Sequence, residues 1–122
     1  MDHFKISEFL CPCCLRGAKE MSKGFLSMLD TARDIAGVSF IINSGFRCTR
    51  HNKEVGGSPA SSHLKGLAAD IKADTSRKRY LVVKALIQAG FNRIGIGKNF
   101  IHVDLDLDKT ASLIWTYYFK KK

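Results

Sequence analysis

Apolar residues recur at helical spacing from Ser22 to Ala36, where Phe25, Met28, Leu29, Ala32, Ile35 and Ala36 share one face and Gly37 follows as a stop. A core-packing helix is predicted there. Val38 to Ile42 is apolar and β-branched but too short for a helix, so it reads as a buried strand that ends at the turn signal Asn43-Ser44-Gly45. A polar segment then runs from Phe46 to Lys65 and contains Gly56, Gly57, Ser58 and Pro59. Loops of that length are uncommon in compact domains and are often functional. Leu67 to Lys72 alternates, with Leu67, Ala69 and Ile71 on one side and Ala68, Asp70 and Lys72 on the other, as a half-buried strand would.

Thr75 or Ser76 can cap a second helix through about Ala89, with Val82, Val83, Leu86 and Ile87 on its apolar face and Gly90 beyond its end. Two further strands are predicted at Phe91 to Ile96 and Phe100 to Leu107, separated by Gly97-Lys98-Asn99, and a last aromatic-rich strand at Ser112 to Phe119. Two main helices among strands joined mostly as hairpins predict an α+β fold with a small antiparallel sheet. No repeat, low-complexity stretch or linker divides the sequence, so residues 1–122 are read as one domain.

At 122 residues the chain can bury a core without help from a disulfide or a metal, which leaves any bound metal free to serve chemistry. No apolar run approaches the roughly 20 residues that span a bilayer. Met1 to Glu8 lacks a basic stretch followed by an apolar one, so no signal peptide is expected and synthesis is placed in the cytoplasm. Lysine and arginine outnumber aspartate and glutamate by 20 to 11, a formal charge of +9, which favours an anionic partner: nucleic acid, a membrane surface or the bacterial wall. Part of that excess lies in Lys120-Lys121-Lys122 and Arg77-Lys78-Arg79, which read equally well as a solvated tail and a solvated helix start. No stretch resembles a nucleic-acid-binding motif, and no such partner is expected.

The four cysteines are Cys11, Cys13, Cys14 and Cys48. Three are crowded into Cys-Pro-Cys-Cys, without the paired C-x-x-C spacing of a structural zinc site. Reduced thiols are the first reading for a cytosolic product. A disulfide from Cys48 to the N-terminal group and a second, structural metal are the alternatives.

Candidate chemistry concentrates in Ser61-Ser62-His63-Leu64-Lys65-Gly66-Leu67-Ala68-Ala69-Asp70 and in Phe100-Ile101-His102-Val103-Asp104. Imidazole nitrogen and carboxylate oxygen are both zinc ligands. His63 closes the polar segment and Asp70 lies on the polar side of the strand that leaves it. If the Phe100 to Leu107 strand pairs beside that strand, His102 faces the same point. Two histidines and one carboxylate leave a coordination position open, as catalytic zinc requires. Each residue alone reads equally as an ordinary surface or core group.

The run S-x-H-x-x-G-x-A-x-D, formed by Ser61, His63, Gly66, Ala68 and Asp70 and followed by His102, resembles the zinc D-Ala-D-Ala carboxypeptidase and L-alanyl-D-glutamate endopeptidase family. The likeness is to its short single-domain branch, which shares its fold with the Hedgehog signalling domain. Asn43-Ser44-Gly45-Phe46-Arg47, His51-Asn52 and Val55-Gly56-Gly57 resemble a further segment of that family, and the likeness spans roughly Phe25 to Leu105. It implies that His63, Asp70 and His102 hold Zn2+, that Arg47 pairs with the substrate carbonyl or carboxylate, and that a metal-activated water hydrolyses peptidoglycan stem peptides. Ser61 is expected to support the substrate or the His63 loop. A monomer is expected, reaching the wall through a phage lysis system, as a virion component, or by another route.

The general base departs from the family pattern. Many members carry a carboxylate three residues before the last histidine ligand, where this chain has Asn99, which cannot accept a proton from water. Asp104 is the nearest carboxylate and shares a strand face with His102, so it is assigned as the base or as the partner that orients His102. Asp104, Asp106 and Asp108 also alternate as a solvated strand face would. The rival functional reading keeps fold and zinc without hydrolysis, as a cell-wall-binding module.

Overall fold

A computed structural model describes residues 2–117. In chain order it contains a 3-10 turn at Ile6–Phe9, helix α1 at Lys23–Ala36, strand β1 at Ile42–Ser44, helix α2 at Thr49–Glu54 and a second 3-10 turn at Ser62–Lys65. Strand β2 at Ala68–Lys72, helix α3 at Ser76–Gln88, and strands β3 at Arg93–Ile96, β4 at Phe100–Asp104 and β5 at Leu113–Thr116 complete it. Among the described residues, no helix is long and apolar enough to cross a membrane.

The helix ends follow local chemistry. Ser22 Oγ accepts from Phe25 N–H at 3.1 Å at the start of α1, and Thr75 Oγ1 accepts from Lys78 N–H at 3.1 Å at the start of α3. Gly37 closes α1 with φ 69°, a left-handed conformation glycine adopts without a Cβ penalty.

The five strands form one sheet in the order β1-β2-β4-β3-β5. All neighbours are antiparallel except β3 and β5, which run parallel. The sheet is therefore mixed, not purely antiparallel as predicted. After β4 the chain passes to the far side of β3 instead of turning back beside β4, and alternation along a strand is the same for either direction of pairing. The predicted extension of the last strand through Tyr118 and Phe119 lies outside the described residues.

One face of the sheet carries Ala69, Ile71, Ile94, Ile101 and Val103, all buried. These cluster with Phe25, Leu26, Leu29 and Ala32 of α1 and with Val82, Ala85 and Leu86 of α3. The opposite face carries Asp70, Arg93, His102 and Asp104.

Three expectations change. The strand predicted at Val38 to Ile42 is displaced to Ile42–Ser44 and forms a sheet edge. Within the predicted run Phe40 is buried and Ile41 is 51% exposed, because an edge strand offers little surface to cover both sides. Ile35 likewise turns outward from α1. The polar segment from Phe46 to Lys65 is not structureless, since it holds α2 and the Ser62–Lys65 turn.

Candidate metal centre

Strand pairing builds the centre of the site. Asp70 on β2 stands directly opposite His102 on β4, so their side chains leave the same face as neighbours. His63 reaches them from the Ser62–Lys65 turn. Ser61 Oγ accepts from His63 N–H at 3.2 Å and starts that turn. Gly66 ends it with φ +70°, where a Cβ would lie 1.9 Å from the Glu20 carbonyl oxygen. Only glycine fits there.

His63 Nε2 lies 3.2 Å from Asp70 Oδ1, and His102 Nδ1 lies 3.0 Å from the same oxygen. Four-coordinate zinc with ligand bonds of about 2.0 Å sets its ligand atoms about 3.3 Å apart. One donor atom from each of the three residues lies within 4.8 Å of the other two, so they could hold one ion.

The remaining nitrogen of each ring is committed elsewhere. His63 Nδ1–H donates to the Gly45 carbonyl at 2.7 Å, and His102 Nε2–H donates to Asp104 Oδ2 at 2.8 Å. A carbonyl and a carboxylate accept only, so these contacts suit the tautomer with its proton on the outer nitrogen, the form that turns the inner lone pair toward Asp70 when a cation lies between them. Three electron pairs then converge on one point. That arrangement is repulsive unless a cation or an added proton lies between them, and the donor set suits zinc.

Burial works against the charged forms of both Asp70 and His102. The histidines nonetheless hold the Asp70 carboxyl far below the usual carboxylate range. Asp104 and Asp70 raise the His102 imidazolium above its ordinary value.

Arg47 is held on three sides. Its Nε donates to Ser44 Oγ at 3.1 Å, its Nη1 to Asn52 Oδ1 at 3.2 Å and its Nη2 to Asp70 Oδ2 at 3.4 Å. Asn52 in turn donates from Nδ2 to the Ser58 carbonyl at 2.8 Å. A Cβ on Gly57 would strike Asn52 Oδ1 at 2.1 Å, so the close approach of this loop to the arginine support requires glycine. Arg47 thus points its guanidinium at the carboxylate that faces both histidines.

Asp104 departs from the solvated face that alternation predicted. It is 2% exposed, and Asp106 is buried as deeply just past the end of β4. Arg93 Nε donates to Asp104 Oδ1 at 2.7 Å while His102 takes Oδ2, and Arg93 Nη1 donates to the Thr110 carbonyl. These partners keep the Asp104 carboxyl below its ordinary value despite burial. Asn99 sits between β3 and β4, where its carbonyl accepts from Ala73 N–H at 2.9 Å, and it does not line the cavity.

A cavity of about 350 Å3 opens over this cluster. Arg47, Ser61, His63, Asp70, His102 and Asp104 all line it, so the polar residues singled out by the sequence meet in one place. Arg93, Trp115 and Tyr117 also line it, and sequence reasoning assigned them no role. The Trp115 ring lies 5.6 Å from the His102 ring, and the Arg93 guanidinium stacks 4.9 Å from the Trp115 ring centre. Gly95, in register with both His102 and Trp115, makes room for them, since a Cβ there would lie 2.6 Å from the indole nitrogen. The available signal was alternation: Arg93 and Gly95 share one side of β3, an unusual pair beside Ile94 and Ile96.

No curated protein matches the chain. A model of the family described as Peptidase M15 matches residues 2–104, a span that contains all three candidate ligands and Arg47. The chain therefore belongs to the peptidase M15 family of zinc peptidases, whose substrate is peptidoglycan.

Proposed function

We propose that this protein hydrolyses a peptide bond in the peptidoglycan stem, as a D,D-carboxypeptidase or endopeptidase, with zinc held by His63 Nε2, Asp70 Oδ1 and His102 Nδ1. The observation that carries the reading is the convergence of those three donor atoms, with the outer nitrogen of each histidine held by an acceptor as metal ligation needs. When bound, zinc supplies Lewis-acid chemistry, acidifying water and polarising a carbonyl.

The remaining steps belong to the protein's own side chains. Arg47 sits across Asp70 from the histidines and binds the oxygen that gains negative charge as the carbonyl is attacked. Its three hydrogen bonds hold it ready, so little reorganisation accompanies the reaction. Asp104 takes the orienting role of the two considered for it, because both its oxygens are engaged and a strong Arg93 partner lowers its basicity. Ser61 fixes the His63 turn and, from the cavity rim, is available to a substrate polar group. Trp115 and Tyr117 form an apolar wall for the peptide. The positive charge suits an anionic wall polymer. Delivery by phage lysis or in a virion remains part of this proposal.

The alternative is a zinc-bearing wall-binding module. Its support is specific: the carboxylates lining the cavity among the described residues are Asp70 and Asp104, and neither is free to accept a proton. Zinc stoichiometry of wild type and His63→Ala, run beside release of amino groups from purified peptidoglycan, separates the two. Loss of one zinc together with all release supports hydrolysis. Wild type that keeps zinc yet releases nothing supports the binding module.

A further inference from the structure

The four cysteines, separate in sequence, meet in space. Cys13 Sγ lies 3.2 Å from Cys48 Sγ, and Cys11 Sγ lies 3.6 Å from each of them. One sulfur from each of the four, Cys14 included, falls within 4.8 Å of the others. All four are free thiols. Tetrahedral zinc with Zn–S bonds of about 2.3 Å separates its sulfurs by about 3.8 Å, close to these distances. Disulfide chemistry would instead sort the cysteines into pairs, and Cys11 is equidistant from two partners.

Two of the four sulfurs face backbone donors. Cys48 N–H points at Cys11 Sγ at 3.5 Å, and His51 N–H points at Cys48 Sγ at 3.4 Å, so backbone donors face the sulfurs that would carry charge. The Cys11–Arg16 loop is pinned by Cys11 N–H to the Arg16 carbonyl and Leu15 N–H to the Cys11 carbonyl, both at 2.7 Å. Leu15 takes φ 58°, a strained value for a leucine, and is 72% exposed. That turn brings three cysteines of one short segment to a common point.

We propose that Cys11, Cys13, Cys14 and Cys48 bind a second zinc ion, closed to substrate, that ties the N-terminal segment to the start of α2. All four ligands come from the protein, so no position is left for water and the ion is structural. The tie falls beside the first centre: Cys48 follows Arg47 directly and begins α2, which supplies Asn52 to the arginine. The sequence offered a second metal only as an alternative to reduced thiols, because the fourth cysteine lies more than thirty residues away and only the fold brings it in.

The test uses the full chain and does not depend on peptidase activity. His63→Ala, purified under reducing conditions, is expected to retain one zinc per chain. Substitution with cobalt should produce the near-ultraviolet charge-transfer absorption of thiolate-bound cobalt, and adding Cys48→Ser should weaken it. Wild type serves as a second measurement that requires no variant to fold: it should take up two cobalt ions, one with the thiolate band. Cobalt bound without that band overturns the proposal. So does a zinc-free His63→Ala protein with four freely titrating thiols, or a Cys13–Cys48 disulfide in the mass spectrum.

Discussion

The two faces of the sheet are built by different rules. On the helix-covered face Ile71, Ile94, Ile101 and Val103 need only be apolar and of fitting volume, and their neighbours in α1 and α3 are of the same kind. On the other face each residue answers to a named partner: Asp70 to two histidines and Arg47, His102 to Asp104, Asp104 to Arg93. The first face supplies stability and tolerates conservative exchange. The second carries the proposed chemistry, and exchanging one member changes the charge or hydrogen bonding of the next. Substitutions on the chemical face should therefore separate activity from stability, with effects that diminish with distance from the three ligands.

The largest such effect is expected at Arg47. Arg47→Lys keeps the charge but cannot reproduce three donors aimed at Ser44, Asn52 and Asp70, since an ammonium is a point donor on a flexible stem. Loss of one preorganised oxyanion donor costs about 100- to 1,000-fold in turnover. We expect kcat on peptidoglycan fragments to fall by about that factor, with zinc content and melting temperature close to wild type. A fall in zinc content matching the fall in activity would instead make Arg47 a support for Asp70.

Legibility in the sequence follows the same division. The helix-covered face was readable because it rests on periodicity: Ser22 and Thr75 start the two main helices as predicted, and Ala69 and Ile71 face the core. Asp70 and His102 were named on family resemblance, and what the sequence lacked was their register, which depends on which strands pair. Asp104 and Asp106 show the limit most clearly. Alternating carboxylates have one local pattern whether they meet water or buried partners, and those partners, Arg93, Ser62 and Lys65, are distant in sequence. The parallel placement of β5, which brings Trp115 beside His102, was invisible for the same reason.

One step out from the ligands, Arg93→Met should leave Asp104 buried without its cation and loosen its hold on His102. Partners of this kind are worth about 10- to 100-fold in metal affinity. Competition with a chromogenic chelator should show zinc at the histidine centre bound more weakly by that factor, while kcat of the zinc-saturated enzyme changes less than in Arg47→Lys. Arg93→Lys should recover part of the affinity. Unchanged affinity in Arg93→Met would mean that Asp104 orients His102 unaided.

Asp106 breaks the rule that chemical-face residues leave stability alone, because it is buried and touches no ligand atom. It accepts from Ser62 Oγ at 2.7 Å and from Lys65 Nζ at 3.0 Å, so it fastens the His63 turn to the chain after β4. Burial alone would raise its carboxyl, yet the Ser62 hydroxyl and the Lys65 ammonium bring it down to about 2. A folded-state value below the unfolded one means stabilisation that is fully present above about pH 4 and lost as the pH falls toward 2. Asp106→Asn removes that charge but keeps the shape, and should cost about 1–3 kcal/mol in urea unfolding at neutral pH. The difference from wild type should shrink on acidification through the same interval, with kcat at neutral pH falling less than in either arginine variant. A difference that persists undiminished at pH 2 would assign the contribution of Asp106 to packing and not to its charge.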